Sequence, residues 1–341
     1  MGRRNKYILF LLLAMTVSIL AACGSDQEGA KNDQVVMKFT HGTGTDGIWQ
    51  KTAEKFSDLV SEYSDGKVKV EIYPGGQIGS GEKSMEDIQN GLIEATSESV
   101  NNLTPFAPSL GMFDLPYLFE SGEEYEQVVD QLGDEINERV INESGLRVIT
   151  WLDKGIRAVG TIDKEINTID DLKGSKIRVP KNPIQLASFE SWGVNATPIA
   201  WDETITSLQQ SVIDGLELPY DDFESTKIYE NINYISDVGY KYDVAMVVIG
   251  DEWFQSQTPE IQDAIVKAGN ETTEWTRENV QGFLDESKEK MKDHVTFTGP
   301  PKDEALWKEK AIATWPKHYD RIKGTELLTE VMDIVGRDLP K

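Results

Sequence analysis

The apolar positions of this chain change period several times along its length. Tyr7 to Leu20 is apolar, and Val35 to Thr40 is a short β-branched run. Trp49, Ala53, Phe56, Leu59 and Val60 then recur at helical spacing, and Val68 to Tyr73 alternates as a strand before stopping at Pro74-Gly75-Gly76. The β-α-β rhythm continues with a helix around Lys83 to Asn90, a strand near Ile93 to Thr96 and a long amphipathic helix from Glu123 to about Asn142. Strands are expected over Leu146 to Trp151 and Ile156 to Val159. A helical turn follows at Asp170 to Gly174, then a strand from Lys176 to Val179 that Pro180 halts. Pro183 suits the first turn of a helix running to Trp192; Asn195 to Ile199 reads as a strand and Thr204 to Ile213 as a helix. From Pro259 to about Asp293 the pattern is continuously helical and charged, and Lys302 to Val335 supplies two more helices. Strands alternating with helices of ten or more residues predict α/β domains on largely parallel sheets. There is no internal repeat.

The first apolar run changes the picture of the N-terminus. It follows Arg3, Arg4 and Lys6, is short for a bilayer span, and ends at Leu20-Ala21-Ala22-Cys23-Gly24 around the only cysteine of the 341 residues. This resembles a bacterial lipobox, which makes residues 1–22 a lipoprotein signal peptide and Cys23 the lipidated new N-terminus. The alternative is an ordinary signal peptide with a chance cysteine. Ser25 to Asn32 is polar, so residues 23–34 read as a tether. Loss of the three leader cations takes the formal charge from -25 to -28. Such a chain has no Lys/Arg stripe to neutralise phosphate, which argues against nucleic acid as a partner. About 319 residues, Cys23 to Lys341, exceed what one core usually supports, so two domains are expected.

Several short motifs fail on context. Gly42-Thr43-Gly44-Thr45-Asp46-Gly47 matches a dinucleotide fingerprint, but an exported protein has no free nicotinamide pool and the next strand ends in Tyr-Pro-Gly, without the acid that would hold a ribose. Ser80-Gly81-Glu82-Lys83 matches S-x-x-K without its companion motifs. His41, His294 and His318 form no metal-ligand spacing, no calcium loop is present, and four glycosylation sequons do not go with a lipobox. No catalytic residue, metal or cofactor is assigned.

Two arginines carry more. Arg157, in Trp151-Leu152-Asp153-Lys154-Gly155-Ile156-Arg157, and Arg178, in Lys176-Ile177-Arg178-Val179-Pro180, each sit in or beside a short strand of an acidic protein. A planar guanidinium holds a carboxylate through two parallel hydrogen bonds, which lysine cannot do. The alternative is that Arg178 pairs with a surface acid.

From Val35 to about Val335 the chain resembles the DctP family, the solute-binding subunits of TRAP (tripartite ATP-independent periplasmic) transporters. The likeness lies in Tyr73 to Gly79, Phe113-Asp114-Leu115-Pro116-Tyr117-Leu118-Phe119, Asp171 to Gly174 with Lys176 to Pro180, and Leu208-Gln209-Gln210-Ser211-Val212-Ile213-Asp214-Gly215. It implies a two-domain periplasmic-binding-protein-like α/β fold, with a ligand cleft between the domains and a long helix spanning both. The domains would be 35–154 plus 243–282 and 155–242 plus 283–341. Arg178 matches the family's carboxylate-binding arginine and Arg157 its second arginine, while Trp201 stands where an aromatic ring packs on the ligand. Leu218 replaces the usual asparagine.

The resemblance implies capture of a small organic acid, led by sugar acids, for a TRAP permease, with the membrane reached through the lipid anchor. Other monocarboxylates, dicarboxylates and zwitterions such as ectoine follow. Glu217 and Tyr220 are expected to read hydroxyl groups, and an exposed Asp221-Asp222 cluster to favour hydroxyls or a cationic end. Glu98, Asn102 and Gln77 are further candidates for the cleft. The alternative functions are a binding protein that feeds a sensor kinase and, more distantly, a secreted α/β enzyme.

Overall fold

The computed structural model describes residues 34–341; the predicted leader and the lipidation call on Cys23 lie outside the described residues. The chain begins β1 (Val35–His41), α1 (Ile48–Tyr63), β2 (Val68–Tyr73), α2 (Glu82–Gln89), β3 (Ala95–Ser99) and α3 (Val100–Leu103). A 3-10 segment, Pro108–Asp114, leads to α4 (Gly122–Ser144) and β4 (Leu146–Thr161). Then come α5 (Ile169–Leu172), β5 (Lys176–Val179), α6 (Pro183–Ser191), β6 (Asn195–Pro198), α7 (Trp201–Gln209), β7 (Gly215–Pro219), α8 (Tyr220–Ser225) and β8 (Tyr234–Ser236). The chain closes with β9 (Tyr242–Gly250), α9 (Asp251–Gln255), α10 (Pro259–Met291), β10 (Thr296–Thr298), α11 (Glu304–Ile312) and α12 (Glu326–Ile334).

The strands lie in the order β2-β1-β3-β9-β4-β7-β5-β6, with β8 paired to β4 and β10 to β8. Largely parallel is a correct expectation only for the wings. β1 pairs in parallel with β2 and β3, and β5 with β6 and β7, whereas β9 and β4 run antiparallel to each other and to their neighbours β3 and β7. The reason is connectivity. The chain crosses from one wing to the other along β4 and returns along β9, so the two must oppose. The pair of strands expected over Leu146 to Val159 is therefore one strand, β4, whose register slips between Asp153 and Ile156, where Gly155 has φ 71°. The sequence reading has no element over Tyr242–Gly250. Val244, Met246 and Val248 enter one apolar core with Val128 and Ile136 of α4, while Ala245, Val247 and Ile249 enter another with Phe56 and Leu59 of α1. A strand buried on both faces reads as an unbroken apolar run, without alternation.

The second wing has its own two cores. Leu216 and Leu218 pack with Leu208 and Phe223, and Ile177 and Val179 pack with Phe189 and Trp192 on the other face. The helix expected over Thr204 to Ile213 is α7, which ends at Gln209 because Ser211 takes a left-handed φ of 57°.

Helix α10 ties the wings together. Its 33 residues span about 50 Å, and it packs on β4, on α1 of the first wing and on α8 of the second. It approaches β4 closely at Gly269, where a Cβ would stand 2.2 Å from the Ile149 carbonyl oxygen.

Candidate functional site

A cavity lies where the carboxyl ends of β1, β3, β5 and β7 converge from the two wings. Strand ends at such a crossover leave a crevice, because neighbouring connections lead away to opposite sides. Each strand delivers its residues directly: Gly42 and Thr43 after β1, Ser97, Glu98 and Ser99 on β3, Arg178 and Pro180 at β5, and Leu218 on β7. A second space shares Asn102, Arg178, Pro180 and Trp201 with it and is lined outward by Lys83 and Lys181.

The two arginines differ in what holds them. Arg178 is 3% exposed, and its Nε donates to the Ile199 carbonyl at 3.1 Å. Among the described residues no carboxylate lies within ion-pair distance of it, and burial lowers its pKa to about 10. It therefore remains a cation at neutral pH, with its Nη atoms unpaired to any acid. Arg157 is instead fully engaged. Its Nε and Nη2 take both oxygens of Glu217, Nη2 also reaches the Glu217 carbonyl at 3.0 Å, and Nη1 donates to Asp243 Oδ1 at 2.7 Å. Of five guanidinium N–H groups, one on Nη1 is left without a protein acceptor.

On the facing wall Glu98 accepts from the Gly81 amide at 2.6 Å and from Asn102 Nδ2 at 2.7 Å. Burial pushes its pKa up to about 7, and the two donors only partly offset this. Asn102 Oδ1 accepts from Asn101 Nδ2 at 3.0 Å. Three lining atoms, Thr43 Oγ1, Ser97 Oγ and Asn101 Oδ1, are buried without a hydrogen-bond partner among the described residues. Buried polar atoms are seldom left so, since each costs about 1–3 kcal/mol. Leu218 makes the apolar floor. Trp201 is half-buried, with its ring 5.8 Å from the Arg178 guanidinium and its Nε1 donating to the Gly42 carbonyl at 3.1 Å.

The glycine-rich turn after β1 thus gains a structural reason. A Cβ at Gly42 would stand 2.9 Å from Trp201 Nε1, and one at Gly44 would stand 2.6 Å from the Ser225 carbonyl. The turn is glycine-rich because the opposite wing closes directly onto its backbone.

The structure brings Arg178, Arg157, Trp201, Asn102 and Glu98 around one cavity. Three other candidates do not line it. The Glu217 carboxylate is buried against Arg157 and accepts the Tyr240 hydroxyl at 2.9 Å, so it holds Arg157 in place from outside the cavity lining. Tyr220 faces the core beside Phe297, with Lys288 over its ring at 3.9 Å, and Gln77 is exposed on its turn. The acidic pair is not exposed either. Asp221 accepts from the Ile48 amide at 3.0 Å, and Asp222 accepts from Trp49 Nε1 at 2.9 Å and pairs with the fully buried Lys154. Trp49, Thr43 and Ser97 are lining residues that sequence reasoning missed. Trp49 counted as one more apolar helix position, although its place on the first turn of α1 put it beside the cavity. Among the described residues there is no group of three or more His, Cys, Asp or Glu placed to hold a metal, and no helix long and apolar enough to cross a membrane.

Two wings joined by crossing strands, with a cavity between their strand ends that holds a cation without an acid partner among the described residues, have the architecture of a solute-binding protein. The chain belongs to the DctP family, bacterial extracellular solute-binding protein family 7, whose model matches residues 39–322. It is 28% identical over 315 residues to the C4-dicarboxylate-binding protein DctB of Bacillus subtilis, covering 91% of this chain and 89% of that one. Among solved structures it is similar to a TRAP periplasmic solute-binding protein from Rhodobacter sphaeroides, with 36% identity, TM-score 0.74 and coverage of 89% and 99%. It is also similar to the sugar acid binding protein DctPAm of Advenella mimigardefordensis in complex with galactonate, with 26% identity, TM-score 0.84 and coverage of 89% and 98%. The fold is the two-domain α/β fold of these proteins.

Proposed function

We propose that this protein captures a hydroxylated monocarboxylate, a sugar acid, outside the cytoplasm and delivers it to a TRAP permease. The observation that carries the reading is Arg178, a buried guanidinium without an acid partner, in a cavity that also holds the unpaired polar atoms of Thr43, Ser97 and Asn101. A carboxylate answers the first and hydroxyl groups answer the others. The galactonate complex of DctPAm supports the class. The B. subtilis relative is named for C4-dicarboxylates, but here Glu98 and Asp222 already line the wall, and a second ligand carboxylate would meet them in a poorly screened space.

Arg178 clamps the carboxylate, Arg157 adds its remaining N–H, and Trp201 covers the ligand body. The two domains are 35–154 plus 243–282 and 155–242 plus 283–341, with lipidated Cys23 holding the protein at the membrane. The chain transports by binding and does no chemistry. The test is a thermal-shift screen of the chain from Gly24 onward against sugar acids, other hydroxy acids, dicarboxylates and ectoine. A ligand at a hundred times its Kd stabilises by about 2.7 kcal/mol. Stabilisation by a sugar acid that disappears in Arg178→Ala supports the reading; stabilisation by dicarboxylates alone, or by none of the acids, overturns it.

A further inference from the structure

A second feature lies outside the ligand cavity. Lys181, Lys317, Arg321 and Lys323 line one groove, formed by the segment after α3, the start of α6 and the segment between α11 and α12. All four are exposed, and among the described residues none has a carboxylate within ion-pair distance. Asp320 is the one acid on the walls, and Pro105, Pro108 and Pro183 supply rigid apolar surface between the cations. In a chain of formal charge -25, four unpaired cations around one groove are a local reversal of the field. Lys323 also holds a left-handed φ of 66°, where a glycine or asparagine would cost less.

We infer that this groove docks an acidic, extended polypeptide segment of a partner protein. Charge complementarity identifies the occupant. At physiological salt a charge acts over about 8 Å, so a carboxylate inside the groove meets the cations while the acidic remainder of the surface is largely screened. An anionic bilayer is the poorer fit, because a flat surface cannot enter a groove and would face the whole acidic body at close range. The inference is independent of which acid the cavity takes.

The probe is a fluorescently labelled peptide of alternating glutamate and glycine, titrated with the folded protein and read by anisotropy at about 10 mM and about 150 mM salt, where the Debye length falls from about 30 Å to about 8 Å. Lys181 also lines the ligand mouth, so the variant is K317E/R321E/K323E. The control is K67E/K164E/K310E, with the same charge change on exposed lysines away from the groove. Salt-sensitive binding that weakens at least about tenfold in the groove variant and stays near wild type in the control is the expected result. No binding at low salt, or equal loss in both variants, overturns it. So does low-salt self-association in sedimentation that the groove variant abolishes, which would make a second copy the occupant. Preferential binding to phosphatidylglycerol vesicles would make the site a membrane contact and also overturn it.

Discussion

Trp49 Nε1 donates to Asp222 Oδ1 at 2.9 Å, and the two residues belong to opposite wings of the sheet while lining the same cavity. Lys154, fully buried on β4, pairs with that carboxylate and lies 4.0 Å from the centre of the Trp49 ring. Beside them Asp221 receives the first amide of α1, so the helix N-terminus is seated on an anion of the other wing. Trp49 and Asp222 therefore both join the wings and line the cavity between them.

Asp222→Ala leaves Lys154 buried beside only Asp221, at 3.8 Å. Breaking a buried ion pair from one side costs about 3–5 kcal/mol. Urea unfolding at neutral pH should show a midpoint lowered by that amount of stability, with Asp222→Asn losing less because it still accepts from Trp49. An unchanged midpoint in the alanine variant would rule out the pairing.

Arg178→Ala separates binding from stability. Truncating one partner of a buried charge pair costs about 2–5 kcal/mol of affinity, so calorimetry with the sugar acid found in the screen should show a loss of about thirtyfold or more. The ligand-free variant should unfold no earlier than wild type, since it loses a guanidinium whose pKa burial lowers to about 10. Arg178→Lys keeps the charge but not the fork and should fall between.

Glu98 makes binding depend on pH. Its folded pKa, pushed up by burial to about 7, stands above the ordinary 4.5, so the folded state holds the proton that the unfolded state releases. Stability therefore falls as pH rises between those values, and Asp221, raised by burial to about 6, adds in the same direction over a lower range. Ionised Glu98 also repels an anionic ligand, so affinity should fall as pH passes about 7. Titrations at several pH values should show that fall in wild type and a flatter profile in Glu98→Gln. A fall of equal size in both would assign it to another group.

Gly269→Ala places a methyl 2.2 Å from the Ile149 carbonyl and forces α10 away from β4. Overpacking of this kind costs about 1–3 kcal/mol or more. The thermal midpoint should drop even though alanine is the better helix former, and a rise would mean that the helix can shift without cost.

The sequence by itself determined the family and most of the elements, and it singled out Arg178, Arg157 and Trp201, which the fold brings to one cavity. The elements follow from local rules, since β-branched runs and helical spacing mark them and proline and glycine end them, whereas the family and the parts expected of Arg178 and Arg157 come from the resemblance. The central return strand Tyr242–Gly250 was not legible, because burial on both faces erases the alternation that marks a strand. The resemblance ranked Arg178 ahead of Arg157, but the chain order did not show what holds each of them. Glu217 and Arg157 are sixty residues apart and meet only where β4 and β7 pair, which leaves Arg178 as the arginine of the cavity without an acid partner among the described residues. Tyr220, one residue beyond β7, turns into the core, whereas Trp49, read as plain core, reaches the cavity. Which face a side chain takes and which charge finds a partner depend on pairings between distant strands, and those exist only in the folded molecule.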